Sequence, residues 1–158
     1  MGISPETRTA LENAYRKYAD TLYRIALSHT GHRQDAEDAV HDVFLRFVEK
    51  APVFADQKHE EAWFIRVTIN RCLDLLRRNK RRGTLALDEN IDRPAEPDEP
   101  EESETLEAVR RLPPKYKDVI LLHCLEEKSV EATAEILGIS VSAVKMRLMR
   151  GREMLKKG

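Results

Sequence analysis

Six Lys and Arg residues follow Ser140 against a single Glu, in the closing stretch "VSAVKMRLMRGREMLKKG". The chemistry open to such residues is binding. Cations neutralise phosphates and displace their counterions, and Lys or Arg reach guanine edges in a major groove. A basic helix end is also an ordinary solvated terminus favoured by the helix dipole, so phase has to separate the two. At 100° per residue, Val141, Val144, Leu148, Gly151 and Leu155 share one side. The opposite side collects Ser142, Lys145, Met146, Met149, Arg150 and Glu153. A purely solvated face has no use for two methionines at its centre, whereas a groove-reading face can set them against thymine methyls. Arg147 and Arg152 flank that face, where they would hold phosphates or neighbouring side chains.

A second basic cluster closes the first half of the chain. Arg71, Arg77, Arg78, Lys80, Arg81 and Arg82 oppose one acid, Asp74. They follow a loop and helix start carrying Phe54 and Trp63, and rings beside cations make a platform for unpaired bases. Trp63 fits a core position as well as a stacking one, and Phe54 fits either. Bond-making chemistry finds no support. The five histidines (29, 32, 41, 59 and 123) and two cysteines match no zinc spacing. There is no Gly-rich phosphate loop and no nucleophile–base set, so no cofactor, no metal and no enzymatic activity is expected.

The elements that must position these residues all read as helices. Ser4-Pro5 combines a capping hydroxyl with a proline at the first helical position. Leu11, Tyr15, Tyr18, Leu22, Ile25 and Ala26 then recur on one face until Thr30-Gly31. Asp35 is expected to open the next helix, with Asp38 as its capping-box partner. Its buried stripe would be Ala36, Ala39, Val40, Val43 and Phe47, and its outer face Glu37, Asp38, His41, Asp42, Leu45 and Glu49. That face suits solvation, but a Leu ringed by charge also suits an anchor for a partner. After Pro52, "APVFADQKHEE" reads as a loop, and a helix is expected from about Ala62 to Arg82. Ile65, Ile69, Cys72, Leu73 and Leu76 make its core face, with Trp63 and Val67 on the other side.

In the second half, Leu112-Pro113-Pro114 ends a stub and starts a helix bearing Val119, Ile120, Leu122 and Cys124. Ser129 caps a short helix, Val130 to Leu137. Gly138-Ile139-Ser140 then turns the chain: Gly138 takes the left-handed conformation, Ile139 plugs the core and Ser140 caps the last helix. A short helix, a Gly-containing turn and a longer helix make a helix-turn-helix, whose second helix enters the major groove.

The formal net charge of −1 conceals a division. Residues 1–82 carry a net +3, residues 83–104 a net −8 and residues 105–158 a net +4. The middle segment, "GTLALDENIDRPAEPDEPEESE", is acidic and Pro-rich and too poor in apolar residues for a core. The expected architecture is all-α: two small helical domains, 1–82 and 105–158, joined by an acidic flexible linker, 83–104. No apolar run approaches the roughly 20 residues of a membrane span, and the N-terminus has no secretory pattern. Cys72 and Cys124 read as buried thiols of a reducing compartment, which points to the cytoplasm.

Three segments in this order resemble the extracytoplasmic-function (ECF) sigma factors, the smallest group of the sigma-70 family. They are "DAEDAVHDVFLRF" (35–47), "AWFIRVTINRCLDLLRR" (62–78) and "LPPKYKDVILLHCLEEKSVEATAEILGISVSAVKMRLMRGREML" (112–155). The resemblance implies a protein that directs bacterial RNA polymerase to promoters. Core polymerase, through the clamp helices of its large subunit, would contact Asp38, His41, Asp42, Leu45 and Arg46. A melted −10 element would be read by Phe54, Lys58, Arg66, Asn70, Arg77 and Arg78, with one base captured by the loop 51–61. The duplex −35 element would be read by Ser142, Lys145, Met146, Arg147, Met149 and Arg150. The implied partners are core polymerase, promoter DNA as duplex and single strand, and in many relatives a cognate anti-sigma factor. The chain is expected to be monomeric when free of polymerase. Two positions depart from the family pattern. Thr133 replaces a common Ile or Val, its hydroxyl calling for a partner such as the Ser129 carbonyl, and Met146 stands where a small polar residue is usual.

The rival class is a helix-turn-helix repressor or activator, acting as a dimer on a palindromic site without core polymerase. It would share the C-terminal pattern and leave "DAEDAVHDVF" and "RVTINRCLDLLRR" without a purpose.

Overall fold

The computed structural model describes residues 2–81 and 107–157, and among these all regular structure is helical. The acidic segment expected to be a linker, and Arg82, lie outside the described residues. Three long helices form the first unit: α1 (Pro5–Thr30), α2 (Arg33–Lys50) and α3 (Gln57–Arg81). The second unit contains α4 (Pro114–Ile120), a π-helical turn Leu121–Leu125, α5 (Val130–Leu137) and α6 (Val141–Lys157).

Local signals set most of the boundaries. Ser4 Oγ accepts from the Thr7 N–H, Pro5 occupies the first turn, and Gly31 ends α1 at φ 74° with its N–H on the Leu27 carbonyl. Two starts differ from expectation. The α2 helix begins at Arg33, before Asp35, with His32 as a cap that makes no side-chain bond. Asp38 takes no part in capping and instead accepts from Gln34 Nε2 at 3.0 Å. The α3 helix begins at Gln57, five residues ahead of Ala62, because Asp56 accepts from the His59 N–H at 2.8 Å and caps the helix there. Periodicity missed that turn because its residues are polar and exposed.

Phe64 organises the first core. It is fully buried, with its ring 4.9 Å from Tyr18, 5.3 Å from Phe44, 5.1 Å from Phe47 and 5.0 Å from Trp63, centroid to centroid. Tyr18 and Phe44 thus bring α1 and α2 onto α3, each ring pair adding to its area burial. The expected stripe named Phe47 and overlooked Phe44, which is the more deeply buried of the two. Thr68, also fully buried, satisfies its hydroxyl on the Phe64 carbonyl at 2.8 Å.

The second unit packs around Val119, Leu121, Leu122, Val144 and Leu148, all buried. The Glu126 N–H reaches back to the Leu121 carbonyl at 2.9 Å, the wider bond that defines the π turn. This turn rotates Cys124 outwards, so that Cys124 is exposed, contrary to expectation, while Cys72 is buried as expected. Burial, with Asp118 adding to it, pushes the Cys72 thiol up to about 12, so it stays protonated and inert. Ser129 and Ser140 cap α5 and α6 as expected, accepting from the Ala132 and Ala143 N–H groups at 2.9 and 3.1 Å. Gly138 closes α5 at φ 70°, a conformation that costs any residue with a Cβ.

Tyr15, expected on the apolar stripe of α1, is 57% exposed, and two further core expectations fail in the second unit. Val141 is 37% exposed, since the first turn of α6 projects past the core. The Thr133 hydroxyl is fully buried and has no hydrogen-bond partner, so the Ser129 carbonyl, engaged by the Thr133 backbone N–H, does not serve it. An unpaired buried hydroxyl costs about 1–3 kcal/mol. Thr133→Val should therefore raise the unfolding free energy by about 1 kcal/mol in urea titration, whereas Gly138→Val should lower it by at least a similar amount.

Candidate nucleic-acid interface

On α6, burial follows the expected phase. Val144, Leu148 and Gly151 are buried, while Ser142, Lys145, Met146, Met149 and Arg150 face water. Met146 and Met149 are 49% and 57% exposed, large apolar side chains at the centre of a basic face. Arg147 is half-buried at its edge. Gly151 is small for a packing reason: a Cβ there would sit 3.1 Å from Ile120 Cγ1, so α6 rests directly on α4. Arg150 lies beside the Tyr116 hydroxyl, and its guanidinium lowers the phenol's pKa from the ordinary range. That contact ties the outward face to the helix beneath it.

A second candidate surface lies on the first unit. An open groove of about 380 Å³ between α2 and α3 is lined by Asp42, Leu45, Arg46, Asn70, Arg71 and Arg78, among others. Residues expected to meet polymerase and residues expected to meet the −10 strand therefore share one groove wall to wall. Leu45 is 48% exposed at its rim, and Asp38 and His41 stand exposed on the same helix. Arg71 joins the two walls, its guanidinium 2.7 Å from Asp42 Oδ2. Sequence reasoning counted Arg71 only as part of a basic run. Nothing in the spacing marks a pair 29 residues apart on different helices.

The loop 51–56 is fixed at one side and open at the other. Phe54 packs edge-on to His59 at 5.4 Å and against Trp63 at 5.8 Å. Trp63 in turn meets Phe47 and Phe64, so Trp63 belongs to the core wall and Phe54 is its half-buried outer member. Val53, by contrast, is 90% exposed. Lys58, Arg77 and Arg78 are exposed.

Arg66 is placed differently from the other residues expected at the −10 strand. Its Nε and Nη2 donate to the carbonyls of Ile136 and Glu135, each at 3.0 Å, at the C-terminal end of α5. Among the described residues no group of three or more His, Cys, Asp or Glu side chains is disposed to hold a metal, and no helix is long and apolar enough to cross a membrane.

These two surfaces correspond to two family models. Sigma-70 region 2 matches residues 14–82, and Sigma-70, region 4 matches residues 103–155. Over 156 residues the chain is 30% identical to the ECF RNA polymerase sigma factor SigW of Bacillus subtilis, covering 89% of this chain and 83% of that one. The chain belongs to the ECF sigma factors. It is also 33% identical over 150 residues to SigE of Mycolicibacterium smegmatis, covering 89% of this chain but only 58% of the relative. Two solved structures share the fold of this sigma factor, each with a TM-score of 0.71. One is the sigma factor RpoE in complex with the anti-sigma factor NepR from Bartonella quintana, at 22% identity over 92% of this chain and 94% of that one. The other is CnrH in complex with the cytosolic domain of CnrY, at 23% identity over 95% of this chain and 87% of that one.

Because Leu45 is 48% exposed and belongs to no core among the described residues, Leu45→Asp should leave helical circular dichroism unchanged and shift the unfolding free energy by less than about 0.5 kcal/mol. Trp63→Ala, which opens the ring cluster, should cost about 3–5 kcal/mol in the same denaturant titration.

Proposed function

We infer that this sigma factor directs core RNA polymerase to promoters with two spaced elements, and that it makes and breaks no bond itself. The observation that carries this reading is the pair of surfaces on one chain. One is a basic face with Met146 and Met149 at its centre, on the second helix of a helix-turn-helix; the other is an α2–α3 groove with acids and Leu45 on one wall and Asn70 and Arg78 on the other. Residues 1–82 form the polymerase- and −10-binding domain, 83–104 the acidic linker and 105–158 the −35-binding domain. The site of action is the cytoplasm, where the chromosome and polymerase are.

In this reading Asp38, His41, Asp42, Leu45 and Arg46 hold the clamp helices, with Leu45 as the apolar anchor among charges. Lys145 and Arg150 meet base edges or phosphates of the −35 duplex, and Ser142 and Arg147 support them at the backbone. Met146 and Met149 meet apolar base surface. Separating the −10 strands costs about 1.4 kcal/mol per base-pair step. Stacking of captured bases returns about 1–3 kcal/mol each, with Phe54 available at the loop and Lys58, Arg66, Asn70, Arg77 and Arg78 along α3. Since RpoE and CnrH were each solved with a protein partner bound, an anti-sigma factor is a further partner to seek.

The test is transcription from a library of promoter fragments by core polymerase with and without this protein. Initiation from sites with two spaced elements is expected; failure to bind core, with tight binding to palindromic duplex alone, would overturn the reading in favour of a dimeric repressor. Leu45→Asp should abolish core binding in a pull-down. Arg150→Ala should weaken −35 duplex binding of the holoenzyme by about 1–3 kcal/mol, measured by fluorescence anisotropy at fixed salt.

A further inference from the structure

Loop 51–56 is shaped from both of its ends. At the entry Ala51 takes the left-handed conformation, φ 44° and ψ 54°, with its N–H on the Phe47 carbonyl at 3.0 Å. Residues with a Cβ rarely adopt that conformation, and here it turns the chain sharply off the end of α2. At the exit Asp56 caps α3 and His59 stands three residues on, where a capping box places Glu or Gln. The Asp56 carboxylate accepts from the His59 N–H at 2.8 Å. In return the His59 ring accepts, at Nδ1, from the Ala55 N–H at 3.0 Å. A backbone amide only donates, so this Nδ1 carries no proton; the imidazole is neutral, with its hydrogen on Nε2. Trp63 lies four residues on from His59, one turn along the same side of α3. Phe54 spans the two, edge-on to His59 at 5.4 Å and against Trp63 at 5.8 Å, centroid to centroid. Trp63 is anchored by Phe64, whereas His59 is exposed. An exposed imidazole adds little to a core, so its two contacts act on the loop.

We propose that His59 is a positioning residue for −10 reading: its unprotonated Nδ1 holds the Ala55 amide, and its ring edge holds the Phe54 ring, in the shape that receives an unpaired base. The inference rests on the function assigned above, in which this loop takes one base of the −10 strand. Phe54 offers a base its free face only where the loop is already ordered. Ordering loop residues at the moment of capture costs entropy of the same order as one stacked base returns. A loop fixed beforehand at Ala51, Ala55 and Asp56 avoids that cost. It also presents Val53, 90% exposed, in one direction beside Phe54. The charged groups next to His59 are Asp56, engaged by the His59 N–H, Lys58, which is exposed, and Glu60, held by the Tyr18 hydroxyl at 2.6 Å and by Lys17. Protonation of the ring would set a donor at Nδ1 against the amide donor, and the bond to Ala55 would be lost.

Two substitutions separate the acceptor from the ring. His59→Asn keeps an acceptor near the Nδ1 position, and His59→Phe keeps a ring beside Phe54 but has no acceptor. The holoenzyme is assembled on a promoter drawn from the fragment library, and strand opening is read by permanganate reactivity of unpaired thymines. His59→Phe should lower opening about three- to tenfold, the worth of one hydrogen bond, and His59→Asn should retain most of it. Both variants should bind −35 duplex that ends short of the −10 element as tightly as the unchanged protein, by anisotropy. Undiminished opening with His59→Phe, an equal loss in both variants, or −35 binding lost in step with opening would overturn the proposal. A second readout needs neither polymerase nor DNA. In NMR spectra of the free full-length chain the Ala55 amide signal should move with pH in step with the His59 ring, and stand still in His59→Asn. An amide indifferent to the ring would equally count against the proposal. Unchanged protein that opens no promoter with core, while its Ala55 amide follows His59, would speak instead against the function itself.

Discussion

A carboxylate and an imidazole taken out of water must find partners, and the meeting of Asp118 with His29 fixes how the two helical units sit on one another. Burying an ionisable group without a partner costs several kcal/mol, so relatively few registers of one unit on the other are open. In the register observed, Arg24 reaches Glu126, Lys128 reaches Glu61 and Arg66 reaches the end of α5. Lys117, next to Asp118, is itself buried, and desolvation lowers its pKa from the ordinary lysine range. Polar contacts of this kind select one arrangement sharply while adding little net stability.

Each unit solves its own packing problem with different means. In the first, rings from three helices converge on Phe64, and the aromatic chain continues through Trp63 to Phe54 at the surface loop. Core stability and the shape of a candidate base-capturing loop are therefore mechanically linked. In the second, the packing is aliphatic and close, with Gly151 allowing α6 to lie on Ile120. The direction in which Met146 and Met149 point follows from that contact and from the Gly138 turn.

The groove between α2 and α3 unites surfaces that the linear sequence keeps apart. Asp42 on the α2 wall is paired with Arg71 among the basic residues of the α3 wall. The pair ties the two walls together, so a group that engaged Asp42 would have to compete with Arg71.

Much of the protein was legible in residue order alone. The hydrophobic periods of α1 and α6, the capping serines at 4, 129 and 140, and the glycines at 31 and 138 are local signals, and local signals survive without a tertiary structure. The same holds for the outward face of α6, because a helix presents a residue in phase with its neighbours whatever it packs against. The start of α3 was not legible, since its first turn is polar and carries no period. The exposure of Cys124 was hidden because a π turn shifts the phase that an α-helix would have kept. The pairs Arg71–Asp42, His29–Asp118 and Lys128–Glu61 join residues 29, 89 and 67 positions apart. Only packing brings such groups within 3 Å, and it alone decided that Arg66 caps α5 instead of lying free beside Asn70.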